Sequence, residues 1–134
     1  MKKYMSQKRE AKFTLQFRHW LKKNPMMSGA FELKQSITNS LPFSAVREHQ
    51  VDALLATNSD KGLLWKIPDD SISSKPYDLF YLRNAGAWVV IKYPDCFCII
   101  NINLFLEEKT CSLRKSLTSS RAKEIATVVV ATSS

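Results

Sequence analysis

Residues 31–55 read FELKQSITNSLPFSAVREHQVDALL, and three successive patterns within them set the organisation of the chain. In Phe31-Glu32-Leu33-Lys34 apolar and charged residues alternate with a period of two, the signature of a strand with unlike faces. Glu32 and Lys34 therefore project from one side, and Phe31 and Leu33 from the other. Residues 36–42 are polar and end in Leu41-Pro42, so they predict a loop. From Ser44 or Ala45 to Thr57 the pattern turns helical, with Ser44 as the N-cap. Val46, Gln50, Ala53, Leu54 and Thr57 fall on one face of that helix, where Gln50 interrupts a small, apolar stripe.

Working outward, residues 7–23 predict a helix that sets Phe13, Phe17, Trp20 and Leu21 on one side and stops at Asn24-Pro25. Downstream, a turn at residues 58–62 is followed by apolar runs at 63–67, 78–82, 87–93 and 97–102, each of strand length. A polar loop, residues 68–76, separates the first two runs. Residues 119–130 predict a last helix, capped by Thr118 or Ser119, with Ala122, Ile125, Ala126 and Val129 facing inward. The order α-β-α-β-β-β-β-α predicts an α/β (α+β) fold: a single mixed sheet of about five strands flanked by helices, in one domain covering residues 1–134. The first strand, the second helix and the run at 63–67 are expected to form a right-handed parallel crossover.

The chain has 20 Lys and Arg against 12 Asp and Glu, a net charge of +8. The excess is concentrated. Residues 1–24 hold eight cations against the single acid Glu10, and Lys109, Arg114, Lys115, Arg121 and Lys123 form a second cluster. Such a field attracts a polyanion through counterion release, which makes nucleic acid the expected partner class. No run of about 18 apolar residues offers a membrane span. The basic N-terminus lacks the apolar stretch of a signal peptide, so a cytoplasmic protein without a membrane partner is expected. Cys96 and Cys98 sit in the apolar segment DCFCIINI and read as core residues. Cys111, His19 and His49 are too scattered to complete a zinc site with them.

Glu32 and Lys34 form an acid–base pair on one side of a strand. That pairing suits phosphodiester hydrolysis, in which a carboxylate holds Mg²⁺ and a lysine orients water or stabilises developing charge. The same spacing is common on solvated strand faces. Glu10 shares the face of Phe13 and Phe17, where a carboxylate needs a partner, a metal or a solvated first turn. Gln50 reads either as an amide satisfying nearby backbone or as a contact for a ligand, a water or a phosphate.

Taken together, the run from Glu32 and Lys34 through Leu41-Pro42-Phe43 to His49-Gln50 and Leu54 resembles the central motif of RecU-type Holliday-junction resolvases. The later segments KIPDD, KPYDLFYL, AWVVIKYP and RKSLT are similar to small resolvase-like proteins of bacteriophages, and that likeness extends over most of residues 8–126. The resemblance implies a PD-(D/E)XK nuclease core, cleavage of branched or duplex DNA, dependence on Mg²⁺ with Mn²⁺ able to substitute, and a homodimer in a bacterial or phage-infected cell. It implies Glu32 as a metal-binding carboxylate, Lys34 as the catalytic lysine and Gln50 as the glutamine of the following helix. Glu10 matches the glutamate that related archaeal resolvases place near the metal. Lys8, Arg9, Lys12, Arg114, Lys115 and, at most, His49 are expected to touch DNA.

One element of that pattern is missing. The motif has an aspartate on a strand before E-x-K, and only PMMSGA separates Asn24 and Phe31 here. A permuted sheet is expected to supply it later in the chain, from Asp78 at the start of YDLFYL or, as the alternate, from Asp69 in KIPDD. The competing readings are an inactive nucleic-acid-binding module of the same fold and an RNA-directed nuclease.

Overall fold

A computed structural model describes residues 2–69 and 74–132, with side chains from residue 7 onward. In chain order the elements are α1 (Lys2–Lys22), β1 (Ala30–Gln35), β2 (Ser40–Pro42), a 3₁₀ turn (Phe43–Ala45), α2 (Glu48–Asn58), β3 (Leu63–Lys66) and β4 (Leu79–Leu82). They continue with β5 (Ala87–Tyr93), β6 (Cys96–Asn101), α3 (Ile102–Cys111), β7 (Ser116–Thr118), α4 (Ser119–Ile125) and β8 (Val128–Ala131). The fold is mixed α and β, with four helices and a four-stranded mixed sheet in the order β1-β5-β6-β8.

β5 and β6 are central because their sequences are apolar on both faces, the pattern of strands covered on both sides. They form a hairpin across Pro94-Asp95, with Tyr93 opposite Cys96, and proline's fixed φ suits the first corner of such a turn. Val89, Ile91, Tyr93, Cys96, Cys98 and Ile100 face α2, α3 and α4 in one core cluster. Val90, Phe97 and Ile99 face α1 in the other. There Phe97 packs against Phe13, Phe17 and Trp20, with ring centroids 6.0, 5.8 and 5.8 Å away. The expected inner face of α1 is thus its packing face.

β1 joins this hairpin as a parallel edge strand, paired Glu32 to Val89 and Gln35 to Lys92. A close chain crossing sets that register. Gly29 has φ +128°, and a Cβ there would lie 2.0 Å from the Gly86 carbonyl oxygen, so only glycine fits. The Ala30 N–H donates to that same oxygen at 2.9 Å.

Several expectations are corrected. The parallel partner of β1 is β5, not the run at residues 63–67; that run forms β3 and pairs only with β4 in a separate two-stranded ladder. The main sheet has four strands, and β2, from the segment read as loop, makes a further small ladder with β7, where no strand was expected. α3 lies where no helix was expected. Asn101 ends β6 and caps it, its side chain accepting from the Asn103 N–H at 2.8 Å, while Ile102 and Phe105 turn into the core. The last helix stops at Ile125, and Val128-Val129-Val130, a β-branched run, continues as β8 beside β6. Among the described residues no helix is long and apolar enough to cross a membrane.

Phe97 touches three aromatic side chains of α1, so Phe97→Ala should lower stability by about 3–5 kcal/mol in urea unfolding. Val129→Ala, on the half-exposed edge strand, should cost less than about 1 kcal/mol in the same assay.

Candidate functional site

Alternation along β1 turns Phe31 and Leu33 into the α1-side cluster, and Ala30 packs on the α2 side. Glu32 and Lys34 therefore face α2. Gln50 sits in the first turn of α2, directly across from them. Its Oε1 accepts the Arg47 backbone N–H at 2.9 Å, which is half of a capping box. With the amide oxygen committed to the helix start, the amide nitrogen is aimed at β1, and it donates to Glu32 Oε1 at 2.8 Å. Lys34 Nζ lies 3.5 Å from the same oxygen. Glu32 Oε2 takes no hydrogen bond from the described residues. Glu32 and Lys34 keep 29% and 21% of their side-chain surface, so the pair is open enough to receive a ligand. The pair itself contributes no more than about 1 kcal/mol to stability at this exposure.

The interrupted stripe on α2 is explained by this contact. Leu54 and Thr57 are buried on α2 as expected, and Thr57 satisfies its hydroxyl on the Ala53 carbonyl at 2.9 Å. Val46 is buried too but lies ahead of α2, which starts at Glu48 with Arg47, and not Ser44, at its N-cap. Gln50 breaks the pattern because its partner is the carboxylate of β1.

Glu10, on α1, is exposed rather than buried with Phe13 and Phe17. It lines a cavity of about 370 Å³ together with Lys34 and Gln35 at the C-terminal end of β1. The structure thus brings Glu32, Lys34 and Gln50 into contact and places Glu10 across the adjoining cavity.

Asp78 and Asp69 are elsewhere. Lys75 Nζ lies 3.2 Å from Asp78 Oδ1 and also pairs with Asp69; the two aspartates keep 84% and 82% of their side-chain surface. Asp78 precedes β4, which pairs with β3 and not with β1, so the permuted strand expected beside E-x-K is not in that position. The physical reason is local: the two neighbouring apolar runs, Leu63–Lys66 and Leu79–Leu82, pair antiparallel with each other. Among the described residues no three His, Cys, Asp or Glu side chains group closely enough to hold a metal ion. The expected set of Glu32, Glu10 and Asp78 or Asp69 therefore does not fit one divalent ion as folded, since Glu32 stands beside Lys34 without a second carboxylate.

His49 is exposed on the first turn of α2, and Lys8, Arg9 and Lys12 are exposed on α1. Arg114 and Lys115 are exposed in the loop between α3 and β7. The second basic cluster is weaker than its count suggests. Arg121 is held by Glu108 and Glu124, each at 2.8 Å, and Lys123 by Asp95 at 3.2 Å. Two groups escaped the sequence reading. Lys92, in the apolar run AWVVIKYP, and Gln35, its register partner, line a small cavity with Arg9 and Lys12. The signal was present: a lysine two residues after Val90 breaks the apolar alternation of β5.

The cysteines are core and surface residues as read. Cys96 and Cys98 are buried with sulfurs 3.9 Å apart, and Cys111 is exposed. Burial pushes the Cys98 thiol up to about 12 and raises Cys96 as well.

No family model, no curated protein and no solved structure matches this chain.

Gln50→Ala removes both the helix-start contact and the neighbour of Glu32, so it should lower stability by about 1–2 kcal/mol in urea unfolding. Near pH 8 a small alkylating reagent should label Cys111 alone in the native protein, and all three thiols after unfolding, counted by intact mass.

Proposed function

We propose that this chain is a DNA endonuclease of the resolvase type, selective for branched or duplex DNA by shape, with Glu32, Lys34 and Gln50 as its own contribution to phosphodiester hydrolysis. The observation that carries the reading is the shared Glu32 Oε1, which meets the Gln50 amide at 2.8 Å and the Lys34 ammonium at 3.5 Å. It supports reading this strand and the following helix as the E-x-K segment of a PD-(D/E)XK core, whose residue order the resemblance implies.

Each residue then has a distinct part. Gln50, held by the backbone of Arg47, fixes the carboxylate of Glu32. Glu32 offers its second oxygen as an acceptor to the attacking water, whose proton it can take, while the phosphodiester group is left to the cations. Lys34 supplies positive charge where the phosphoryl oxygens gain negative charge during in-line attack, a stabilisation whose loss costs about 10²–10³-fold in comparable sites. The basic α1, with Lys8, Arg9 and Lys12, draws the backbone to this edge of the sheet, assisted by Arg114 and Lys115. Dependence on Mg²⁺, with Mn²⁺ in its place, and a homodimer that cuts paired strands belong to the same proposal through the resemblance alone. An RNA substrate belongs to it as an alternative, read from competition between junction DNA and structured RNA at one salt concentration.

A second reading, binding without hydrolysis, is favoured by the pairing of Asp69 and Asp78 with Lys75. One assay separates the two. A synthetic four-way junction is incubated with the parent, Glu32→Gln, Lys34→Ala and Asp78→Asn, in Mg²⁺, in Mn²⁺ and in chelator. The endonuclease reading expects metal-dependent cutting by the parent, reduced by about 10²-fold or more in Glu32→Gln and Lys34→Ala with binding retained. Equal cutting by parent and Lys34→Ala assigns the activity to a contaminant. Binding by all four proteins with cutting by none establishes the module. Asp78→Asn decides the hairpin's part: lost cutting with intact binding brings that carboxylate into the site, and parent activity leaves it out.

A further inference from the structure

The C-terminal ends of the two parallel strands carry a second recess, lined by three cations and no acid. β1 ends at Gln35 and β5 at Tyr93, and Gln35 lies opposite Lys92 in the ladder. Both side chains point to the α1 side, alternating with Lys34 and Ile91. Arg9 and Lys12 approach from α1, and the four residues line a cavity of about 160 Å³ without an acidic side chain. Gln35 and Phe13 also line the larger cavity that holds Lys34, so the two recesses share a wall at the end of β1. Crevices at the carboxyl ends of strands in open α/β sheets are where such sheets receive ligands.

We infer that Arg9, Lys12, Lys92 and Gln35 form a phosphodiester-binding subsite, which seats a backbone phosphate of the nucleic-acid strand next to the one at Glu32 and Lys34. This rests on the reading that the E-x-K site receives DNA. Three features support it.

The first is unbalanced charge. Among the described residues none of Arg9, Lys12 and Lys92 is in an ion pair; of the neighbouring acids, Asp95 is engaged by Lys123 and Glu10 lines the adjoining cavity. Burial lowers the affinity of the Lys92 amine for its proton; Cys96 and Asp95 oppose this, and Lys12 adds to it as a like charge. An anion seated between Lys12 and Lys92 relieves that repulsion.

The second is donor geometry. Lys92 Nζ donates to the carbonyls of Tyr93 and, at 3.3 Å, Pro94. An ammonium group has three protons, so one remains for a ligand while the other two hold the amine at the mouth of the recess.

The third is Gln35, whose buried Oε1 has no hydrogen-bond partner. Rotation about the terminal bond exchanges the amide oxygen with its NH₂, which gives a phosphate oxygen a neutral donor at the boundary between the recesses. Phosphodiester oxygens are acceptors, so it is the NH₂ of Gln35, and not its unpartnered Oε1, that meets them.

The subsite sets which phosphate lies over Lys34, a positioning role that binding reports without cutting. The test is fluorescence anisotropy of a labelled four-way junction, in chelator, over a salt series. It uses the parent, Lys12→Gln, Lys92→Met, Lys92→Arg and Lys66→Gln. Lys66, exposed on β3, controls for loss of one charge away from the recess. Lys12→Gln and Lys92→Met should each weaken binding about 3- to 10-fold and lower the slope of log affinity against log salt by about one, the loss of one phosphate contact. Lys92→Arg should restore most of the affinity, and Lys66→Gln should change it by less than about twofold. Parent-like affinity and slope in both Lys12→Gln and Lys92→Met overturn the subsite, as does an equal loss in Lys66→Gln. Lys12 is exposed on its helix, so Lys12→Gln keeps the test decisive even where Lys92→Met fails to fold. Should about 10 mM inorganic phosphate at constant ionic strength displace the junction from the parent but not from Lys92→Met, the recess is a site for free phosphate and the backbone assignment falls. Because the readout needs no hydrolysis, a parent that binds in this pattern but never cuts loses the nuclease reading alone. A parent that cuts while Lys12→Gln and Lys92→Met bind normally loses the subsite alone.

Discussion

Burial of β5 and β6 on both faces is the constraint around which the molecule is arranged. Val89, Val90, Ile91, Cys98, Ile99 and Ile100 have no exposed surface at all, so each face of the hairpin must be covered by something. α1 covers one and α2, α3 and α4 cover the other. Apolar burial stabilises a domain of this size by roughly 25 cal/mol per Å², and removing either cover exposes half of the central sheet. β1 then has one place to go. Its Phe31 and Leu33 belong with α1, and its parallel ladder with β5 leaves Glu32 and Lys34 facing α2.

That placement creates the candidate site. A carboxylate and an ammonium group on an edge strand are ordinary; the third partner distinguishes them. The Gln50 amide is oriented by the backbone at the start of α2, so its contact with Glu32 is set by helix capping rather than by a free rotamer. The neighbouring recess follows from the same ladder, since Gln35 and Lys92 share a register and end at one level. The two groups of residues lie on opposite sides of β1 and meet only at its C-terminal end.

The β3–β4 hairpin stands apart from this arrangement. Leu64, Trp65, Leu79 and Tyr81 remain about half exposed there, and Lys75 gathers Asp69 and Asp78 close to the hairpin base. The carboxylates that the resemblance would send to the E-x-K strand are thus engaged locally.

Much was legible in the sequence because it depends on local periodicity. The helix from Phe13 to Leu21, the strand from Ala30 to Gln35, the stripe on α2 and the runs that became β5 and β6 are written in spacings of two or of three and four. Gln50 stood out because it broke such a pattern, and Glu32 and Lys34 because they share the charged face of an alternating strand. Strand partners are not local. Whether β1 lay beside β3 or β5, and whether Asp78 reached Glu32, turned on which apolar runs paired across long stretches of chain, and side-chain alternation is the same for either partner. α3 and β8 were missed for the opposite reason: Asn101 caps a helix in the middle of an apolar run, and Val128–Ala131 prolongs a helical spacing that the sheet overrode. The sequence by itself determined the amphipathic faces, the basic charge and the acid–base strand. Tertiary structure alone decided which carboxylates share a site and that Lys92 meets Lys12, because only packing brings residues distant in the chain within a few ångströms.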